Sequence, residues 1–384
     1  MAGEAASPLD EVRAVRARLG ELLADREYRG ADPFDALASP LLGLAGRRVR
    51  LLGAATTVVA RRLPPALRRP LLIPETVNPK TVALCALADE ALGERQRAAA
   101  LRSSLLALRT TAEYGAGWGY PFPWANRYFA IGAGEPNAIA TVFSALPFLG
   151  LAQSGDAEST TICLDAARLL GTLNVIEGPD GTLVSYTRRD RRPVYNVAAL
   201  VGSFLLRAAR LAGGEERFEQ LGAALVKGVE RAQRPDGLWD YGSLPRDRWV
   251  DSFHSGYILR ALRDAPAGAS DAEVLARGYV AFSARCTAPD GAPWLMAGDP
   301  STSDAHAAAN AILTHIDVPQ APNVEAAVRI FRWMQQHLYN EATGGYWYQY
   351  RGGRAVKRDY TRWVQAWMYL ALATLEGALD GQAD

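Results

Sequence analysis

The sequence predicts an all-α protein, an (α/α)6 toroid of helical hairpins with an N-terminal helical extension. Two observations lead to this prediction. The turn sequence Pro-Asp-Gly begins at residues 179, 235 and 289, and a related Thr-Gly-Gly turn begins at 343, at intervals of 56, 54 and 54 residues. Around these turns, segments that are apolar on nearly every side alternate with segments that are apolar along one stripe. Such two-helix units, repeated at a fixed period, are typical of helical repeat architectures.

The segments that are apolar all round follow the turns. They start 60, 56, 53 and 57 residues apart, at Glu135, Tyr195, Asp251, Asp304 and Thr361. Amphipathic segments lie between them, for example at 217–234 and 323–340. A helix that is apolar on every side is buried, and a helix with one apolar stripe is peripheral. The units therefore predict an inner and an outer ring of helices.

A sixth hairpin can be assembled from residues 79–93 and 95–115, which precede the five regular units. Six hairpins close into a toroid. A straight solenoid of the same repeats is the alternative, although the chain has no obvious polar capping repeat at either end. The first 75 residues do not fit the repeat, so we predict a helical extension at 1–75 and a toroid at 76–384.

An arginine-rich segment lies within the predicted extension. Residues 47–72 contain seven arginines. We expect a solvated or partner-contacting helix followed by a proline-rich linker, in preference to a helix that binds a membrane surface.

Composition and charge limit the class of protein. The chain has 384 residues, of which 49% are hydrophobic and 22% charged, with a net charge of +1. These values are normal for a soluble globular protein, and the small charge argues against a nucleic-acid partner. The longest apolar run, 138–152, is shorter than the ~20 residues that cross a bilayer, and the first residues do not resemble a signal peptide. The three cysteines, Cys85, Cys163 and Cys286, form no CxxC pair, so we expect them to be reduced core residues of a cytoplasmic protein. The sequence leaves the oligomeric state open.

The ring geometry predicts where the chemistry is. Loops that lead from outer to inner helices gather at one end, so their polar residues converge on one pocket. Asp251 and His254 are three residues apart at such a helix start and share a face. His306 follows Asp304 at the matching position of the next repeat, which favours a site over an isolated core histidine. For Asp304 and Asn137, a helix N-cap is an equally good explanation.

From this reasoning we select candidate residues. Asp251 with His254 is the first choice of catalytic pair. Further catalytic candidates are Asp304, His306 and Glu135 as alternates and Tyr195 as a supporting proton donor. The candidate substrate-binding residues are aromatic, amide and arginine side chains: Trp118, Tyr120, Trp124, Arg127, Asn137, Tyr186, Asn196, Trp239, Tyr241, Tyr348, Tyr360, Arg362 and Trp363. The HExxH, P-loop and GxSxG motifs are absent from the sequence, and we expect neither a metal nor a cofactor.

Several segments resemble known families. The aromatic-rich turns, "GWGYPFPW" at 117–124 and "DSFHSGYIL" at 251–259 resemble the α/α-toroid superfamily, which includes six-hairpin glycosidases, sugar 2-epimerases, the helical domain of glucuronyl C5-epimerases and terpene cyclases. With "YRGADPFDALASPLL" at 28–42 and "RRPLLIPETVNPKTVALC" at 68–85, the chain also resembles a bacterial family encoded with polysaccharide biosynthesis genes. Members of that family sometimes carry an aminolevulinate dehydratase label, but that enzyme is a TIM barrel and no strand–helix alternation occurs here.

The expected function is that of a carbohydrate-active enzyme. We expect acid/base chemistry on a sugar, a glycan that contains uronic acid, or a biosynthetic intermediate, by hydrolysis, epimerisation or elimination. One alternative is a cyclase or lyase for a less polar intermediate, since aromatic walls also stabilise carbocations. The other is a non-catalytic ring that binds a glycan or a protein, because a fold alone does not fix a function.

Overall fold

The structure is a computed structural model that describes residues 7–46 and 48–382. Its α-helices, numbered in chain order, are α1 (Pro8–Asp25), α2 (Pro40–Gly46), α3 (Arg50–Ala60), α4 (Pro79–Ala91), α5 (Arg95–Ala107), α6 (Ala138–Gln153), α7 (Ala157–Leu170), α8 (Tyr195–Ala209), α9 (Glu216–Arg231), α10 (Ser252–Asp264), α11 (Ala272–Arg285), α12 (Ala305–Asp317), α13 (Val324–His337) and α14 (Ala366–Asp380). A single π-helical turn, Thr361–Gln365, leads into α14.

Short strands connect the helices. They are β1 (Arg29–Gly30), β2 (Thr76–Val77), β3 (Thr110–Ala112), β4 (Gly115–Gly117), β5 (Trp124–Ala125), β6 (Ala130–Ile131), β7 (Val175–Gly178), β8 (Gly181–Val184), β9 (Trp294–Met296), β10 (Asp299–Asp304), β11 (Tyr339–Asn340), β12 (Gly345–Tyr346), β13 (Gln349–Arg351) and β14 (Arg354–Val356). Most pair as two-stranded antiparallel ladders, and four form one antiparallel sheet in the order β14-β13-β10-β9. In this sheet Asp304 lies opposite Gln349.

Six helices form a closed inner ring. Each contacts the next in the order α4, α6, α8, α10, α12, α14, and α14 contacts α4 again. The sequence explains why these helices are inside: in α12 every residue from Ala305 to Ile316 is buried, and the many alanines allow close approach of neighbouring backbones. The prediction of an (α/α)6 toroid is confirmed, and the straight solenoid is excluded by the closure.

The outer ring consists of one helix beside each inner helix. The pairs α4/α5, α6/α7, α8/α9, α10/α11 and α12/α13 are hairpins of consecutive helices, and the partner of α14 is α1. Arg16 Nε lies 2.8 Å from Glu376 Oε2 between these two helices. The predicted boundary at residue 75 therefore separates α1 from the helix it packs against, and the division into 1–75 and 76–384 stays a prediction.

The turn glycines fix how each hairpin meets its neighbour. Gly291 has a φ of 95°, and a Cβ there would lie 2.4 Å from the carbonyl oxygen of Arg329 in the next outer helix, α13. Gly344 has a φ of 77°, and its Cβ would lie 3.1 Å from Cβ of Arg18 in α1. Only glycine adopts this conformation without strain. The last turn thus meets α1 in the way that an earlier turn meets the following outer helix, which makes α1 a member of the ring.

The middle of the arginine-rich segment reaches the open end of the ring. Its first arginine, Arg47, lies outside the described residues, and α3 occupies much of the remainder. Arg61 and Arg62 follow α3 and face the cavity described below. Elsewhere, the three cysteines are buried and free. Among the residues that the structure describes, no helix combines the length and apolar character needed to cross a membrane.

Candidate functional site

A cavity of about 470 Å³ opens at the end of the ring where the inner helices begin. This volume is in the range of small-molecule sites. Its walls consist of aromatic, arginine and carboxylate side chains with a few apolar ones: Phe34, Arg61, Arg62, Trp124, Asn126, Phe129, Tyr186, Arg192, Val194, Tyr241, Trp249, Asp251, Phe253, His254, Leu295, Met296, Asp304, Tyr348, Gln349, Arg351, Arg358 and Trp363. The predicted convergence of the outer-to-inner loops on one pocket agrees with this placement.

Asp251 holds His254 in one orientation at the cavity. Asp251 is the N-cap of α10, and its Oδ1 accepts the backbone N–H of His254 at 2.7 Å. Its Oδ2 lies 2.6 Å from Nδ1 of the same imidazole. A carboxylate oxygen accepts, so Nδ1 carries the hydrogen and the other ring nitrogen, Nε2, keeps its lone pair. The His254 side chain is 20% exposed and that of Asp251 only 2%, so the imidazole is accessible from the cavity and the carboxylate is buried behind it.

Aromatic rings surround the imidazole. Tyr241 and Trp249 stack with centroids 4.4 Å apart and planes at 8°, and the edge of Tyr241 meets His254 at 4.7 Å. Phe253 lies 4.1 Å from His254 on another side. Burial raises the pKa of Tyr241 to about 12, so its hydroxyl stays protonated at neutral pH. Flat apolar faces beside polar groups suit the faces of a sugar ring.

Asp304 lies at the same cavity but is more enclosed. It caps α12, with Oδ1 accepting the N–H groups of His306 and Ala307 at 2.8 and 3.2 Å. Its Oδ2 accepts from Gln349 Nε2 at 2.8 Å. Burial raises the pKa of Asp304 to about 6, although these hydrogen bonds favour its charged form. A carboxyl group of this kind is partly protonated near neutral pH and can act as an acid.

His306 does not face the cavity, in contrast to His254. It is 1% exposed and lies below Phe253 and Trp363, whose rings are 4.7 and 4.4 Å from the imidazole. Its Nδ1 donates to the carbonyl oxygen of Trp363 at 2.9 Å. Burial holds the pKa of His306 well below its usual value. The two histidines occupy matching positions in sequence but different environments.

Four other predicted residues line the cavity with the residues described above: Trp124, Tyr186, Tyr348 and Trp363. Trp124 meets Tyr186 edge to face at 5.5 Å, and Phe129 stacks on Tyr186 at the same distance. The indole nitrogen of Trp363 is buried and has no hydrogen-bond partner in the described part of the chain. It is a free donor beside the cavity.

The remaining predicted residues are placed away from the cavity wall. Trp118 and Trp239 are buried, and their indole N–H groups donate to backbone carbonyl oxygens at 2.8 Å. Tyr195 donates to Asp180 at 2.7 Å, and Glu135 pairs with Arg189. The others are an exposed arginine, a buried N-cap, two buried tyrosines and a buried amide: Arg127, Asn137, Tyr120, Tyr360 and Asn196.

Arg362 is engaged by a partner that the sequence did not suggest. Its Nη2 lies 2.8 Å from Oδ1 of Asp32, Nε bonds the other oxygen, and both side chains are 4% exposed. The pair joins the N-terminal segment to the turn that precedes α14. Arg362 therefore neutralises a buried carboxylate of the protein, which occupies the donors that we expected a substrate to use.

Sequence reasoning missed several cavity residues. Trp249 and Phe253 lie within the "WVDSFHSGY" motif around Asp251 and could have been selected with it. Arg61 and Arg62 could not, because they lie outside the repeat.

In residues 7–46 and 48–382, no three histidine, cysteine, aspartate or glutamate side chains come together as a metal site would require.

Comparisons with known proteins address the fold. No family model and no curated protein sequence matches the chain. Among solved structures, it is similar to a possible member of the GH105 family from Salmonella enterica, with a TM-score of 0.60 and 12% identity over 100% of this chain and 97% of the other.

Two further structures are similar. One is cellobiose 2-epimerase from Bacillus thermoamylovorans, with a TM-score of 0.58 and 13% identity over 79% and 86% of the two chains. The other is a GH76 α-mannanase from Bacteroides thetaiotaomicron, with a TM-score of 0.57 and 11% identity over 80% and 87%. These likenesses confirm the predicted fold, an α/α toroid.

Proposed function

We propose that the protein is an enzyme that moves a proton on a sugar, as an epimerase or isomerase does, with His254 as the base. The observation that carries the proposal is the state of the two ring nitrogens: Nδ1 is bound to Asp251 and Nε2 is left for a ligand. A base in this role needs a fixed tautomer, a carboxylate that stabilises its charged form, and access to the substrate. His254 has all three.

The proposed step is proton transfer at a carbon next to the carbonyl group of an open-chain sugar. His254 Nε2 takes the proton, the electron pair moves into an enediolate, and the imidazolium is stabilised by Asp251. If the enediolate turns its other face to the imidazolium, return of the proton from Nε2 to the same carbon gives the epimer. Return of the proton to the neighbouring carbon, with transfer of the hydroxyl proton between the two oxygens, gives the isomer. The aromatic rings of Tyr241 and Trp249 would hold the sugar beside the imidazole.

Glycoside hydrolysis is the second candidate, and Asp304 favours it. Its pKa of about 6 suits a general acid for the leaving group, with a water activated by His254. Both oxygens of Asp251 and of Asp304 already accept hydrogen bonds from the protein, which leaves neither carboxylate as free as His254 Nε2. We therefore rank proton transfer first. The similar solved structures named above include an epimerase and a mannanase, which fits either reaction.

The experiment is an incubation of the protein with reducing sugars, uronic acids and oligosaccharides in D₂O, followed by NMR. Proton transfer predicts deuterium at the carbon next to the carbonyl and formation of an isomer without chain cleavage. His254→Gln should abolish the exchange, whereas His337→Gln on outer helix α13, outside the cavity, should retain it.

Two results would contradict this proposal. Release of reducing ends without deuterium incorporation would assign the second candidate, hydrolysis. Quenching of tryptophan fluorescence by a sugar with neither reaction would instead identify a non-catalytic binding ring.

The buried, free cysteines are consistent with the cytoplasmic location that we propose for the enzyme.

A further inference from the structure

Arginines from two distant segments meet at the cavity. Arg61 and Arg62 follow α3, Arg351 ends β13, and Arg358 follows β14. Nη2 of Arg358 donates to the carbonyl oxygen of Arg62 at 2.7 Å, so the two segments are in direct contact. We call these four side chains the arginine cluster.

No carboxylate of the described chain forms an ion pair with the arginine cluster. The neighbouring Arg192 differs, because its guanidinium is paired with Asp247 at 2.5 Å. The two carboxylates that line the cavity are hydrogen-bonded elsewhere, Asp251 to His254 and Asp304 to backbone N–H groups and Gln349, and the four guanidinium groups outnumber them. The cavity therefore carries an uncompensated positive charge.

Neutral contacts hold the cluster in place and leave donors free. Nε of Arg351 donates to Thr302 Oγ1 at 3.1 Å, and the guanidinium of Arg61 lies 5.9 Å from the ring centre of Phe34. Nε of Arg358 is buried and has no hydrogen-bond partner in the part of the chain that the structure describes. A buried donor without a partner is rare in folded proteins, and a ligand would satisfy it.

The positions of two arginines relative to Tyr348 show where the charge is concentrated. The charges of Arg61 and Arg358 both lower the pKa of Tyr348, against burial, which raises it above its usual value. Both guanidinium groups thus act on a hydroxyl in the cavity wall, near Asp304. Like charges that share a confined space repel one another, so an anion bound there would be stabilised.

We propose that the arginine cluster binds the phosphate or diphosphate group of a phosphorylated sugar. A single carboxylate is satisfied by one bidentate guanidinium, whereas a phosphate or diphosphate offers several acceptor oxygens and more than one negative charge. The inference rests on the proposed function to the extent that a sugar is taken to occupy the rest of the cavity. It specifies the substrate class: a sugar phosphate whose anomeric carbon is free, so that the ring can open to the carbonyl form, with its sugar toward His254 and its phosphate toward Arg61 and Arg358.

Isothermal titration calorimetry tests the inference without turnover. The probes are pyrophosphate, glucose 6-phosphate, methyl glucoside and glucuronate, each added to the intact protein. We expect both phosphate probes to bind more tightly than the methyl glucoside or the glucuronate, with an affinity that falls as salt is added. Arg61→Ala combined with Arg358→Ala should weaken glucose 6-phosphate binding by ~10-fold or more, because charge-assisted hydrogen bonds are lost.

Arg354→Ala is the matched control, since Arg354 is an exposed arginine of the same hairpin outside the cavity wall. It should leave the affinity unchanged. His254→Gln should still bind pyrophosphate, so binding to this variant supports the cluster even if the proposed catalysis fails. Absence of phosphate binding, equal losses in the control, or tighter arginine-dependent binding of glucuronate would each overturn the inference. Deuterium exchange on unphosphorylated sugars with no phosphate binding would overturn it and leave the proposed function standing.

Discussion

The hydroxyl of Tyr257 donates to Nε2 of His306 across 2.6 Å, inside the ring of inner helices. With Nδ1 of His306 bound to the Trp363 carbonyl, both nitrogens of this imidazole have protein partners. His254 keeps one nitrogen for a ligand. The hydrogen bonds, more than the sequence position, thus distinguish the two histidines: His254 lies at the cavity with one nitrogen unbonded, and His306 lies in the core with both nitrogens bonded.

Asp251→Asn should abolish most turnover while the fold persists. Asparagine caps a helix about as well as aspartate, so the thermal midpoint should change little. The imidazole, however, loses the carboxylate that fixes its tautomer and stabilises its charge, and the rate should fall by roughly 10²- to 10⁴-fold. Steady-state kinetics and a thermal melt measure the two effects. A large drop in the melting temperature with the remaining folded protein fully active would identify Asp251 as a structural cap only.

His306→Gln should act on stability. Without the imidazole, the Tyr257 hydroxyl and the Trp363 carbonyl lose their hydrogen-bond partner, which should lower the free energy of unfolding by roughly 1–3 kcal/mol. The pKa of His306 is held well below its usual value, so the unfolded chain takes up a proton below pH ~6.5 that the folded protein does not. Wild-type stability should therefore fall as the pH drops below ~6.5, and the variant should lose that component.

Urea denaturation of both proteins at neutral and mildly acidic pH measures this difference. His337→Gln, on an outer helix, serves as the control for removal of a histidine. A variant of His306 with normal stability but no turnover would show that this histidine is the catalytic one.

Lys80 should destabilise the folded protein as the pH is lowered. The residue is 2% exposed, and its amine lies 3.8 Å from the ring centre of Phe143 and contacts Tyr257 Oη at 3.3 Å. Burial lowers its pKa well below the usual value, whereas the unfolded lysine keeps its proton up to pH ~10.4. Raising the pH from 7 to 9 should therefore stabilise the wild type relative to Lys80→Met, which has no titratable group at this position.

At pH 7 the Lys80→Met protein should be at least as stable as the wild type, since methionine packs well among aromatic rings. Denaturation midpoints at both pH values provide the comparison. Strong destabilisation with an unchanged pH dependence would mean that Lys80 is charged and stabilised by those rings.

Arg362→Ala should lower the stability of the folded protein, and not merely weaken substrate binding. The change leaves Asp32 buried without its cation, which costs roughly 3–5 kcal/mol for pairs of this kind. Asp32→Asn should lower the free energy of unfolding by a comparable amount. A raised KM with an unchanged melting temperature would instead support the substrate-binding role that the sequence suggested for this arginine.

The fold could be predicted from sequence where the pattern is local. Apolar periodicity and the regular turns located the inner helices, and α8 begins at the predicted Tyr195. The unit that starts at Thr361 lacked an outer helix in the sequence. Its partner is α1, where Arg16 meets Glu376, 360 residues away in the chain. Spacing along the chain does not reveal such a contact.

The site could be predicted less completely, because residue type does not distinguish a cavity wall from packing. Asp251 and His254 were recognisable from their spacing at a helix start. Trp118 and Trp239 follow equivalent aromatic-rich turns, but their indole nitrogens bind backbone carbonyls of the preceding outer helices. The tertiary contact between the α3 end and the last hairpin brings Arg61 to the cavity, and the repeat contains no signal for it.

The pairing of α1 with α14 has a consequence for how the protein folds. α1 is synthesised long before α14, and its apolar stripe of Val12, Leu19 and Leu23 is buried only when α14 has followed. In an open solenoid each repeat could dock on the one before it as the chain emerges. Here the final contact joins segments of very large sequence separation, which makes closure slow because of its loop entropy. Until then the apolar stripe of α1 is accessible, and the nascent chain is most prone to aggregate in that interval.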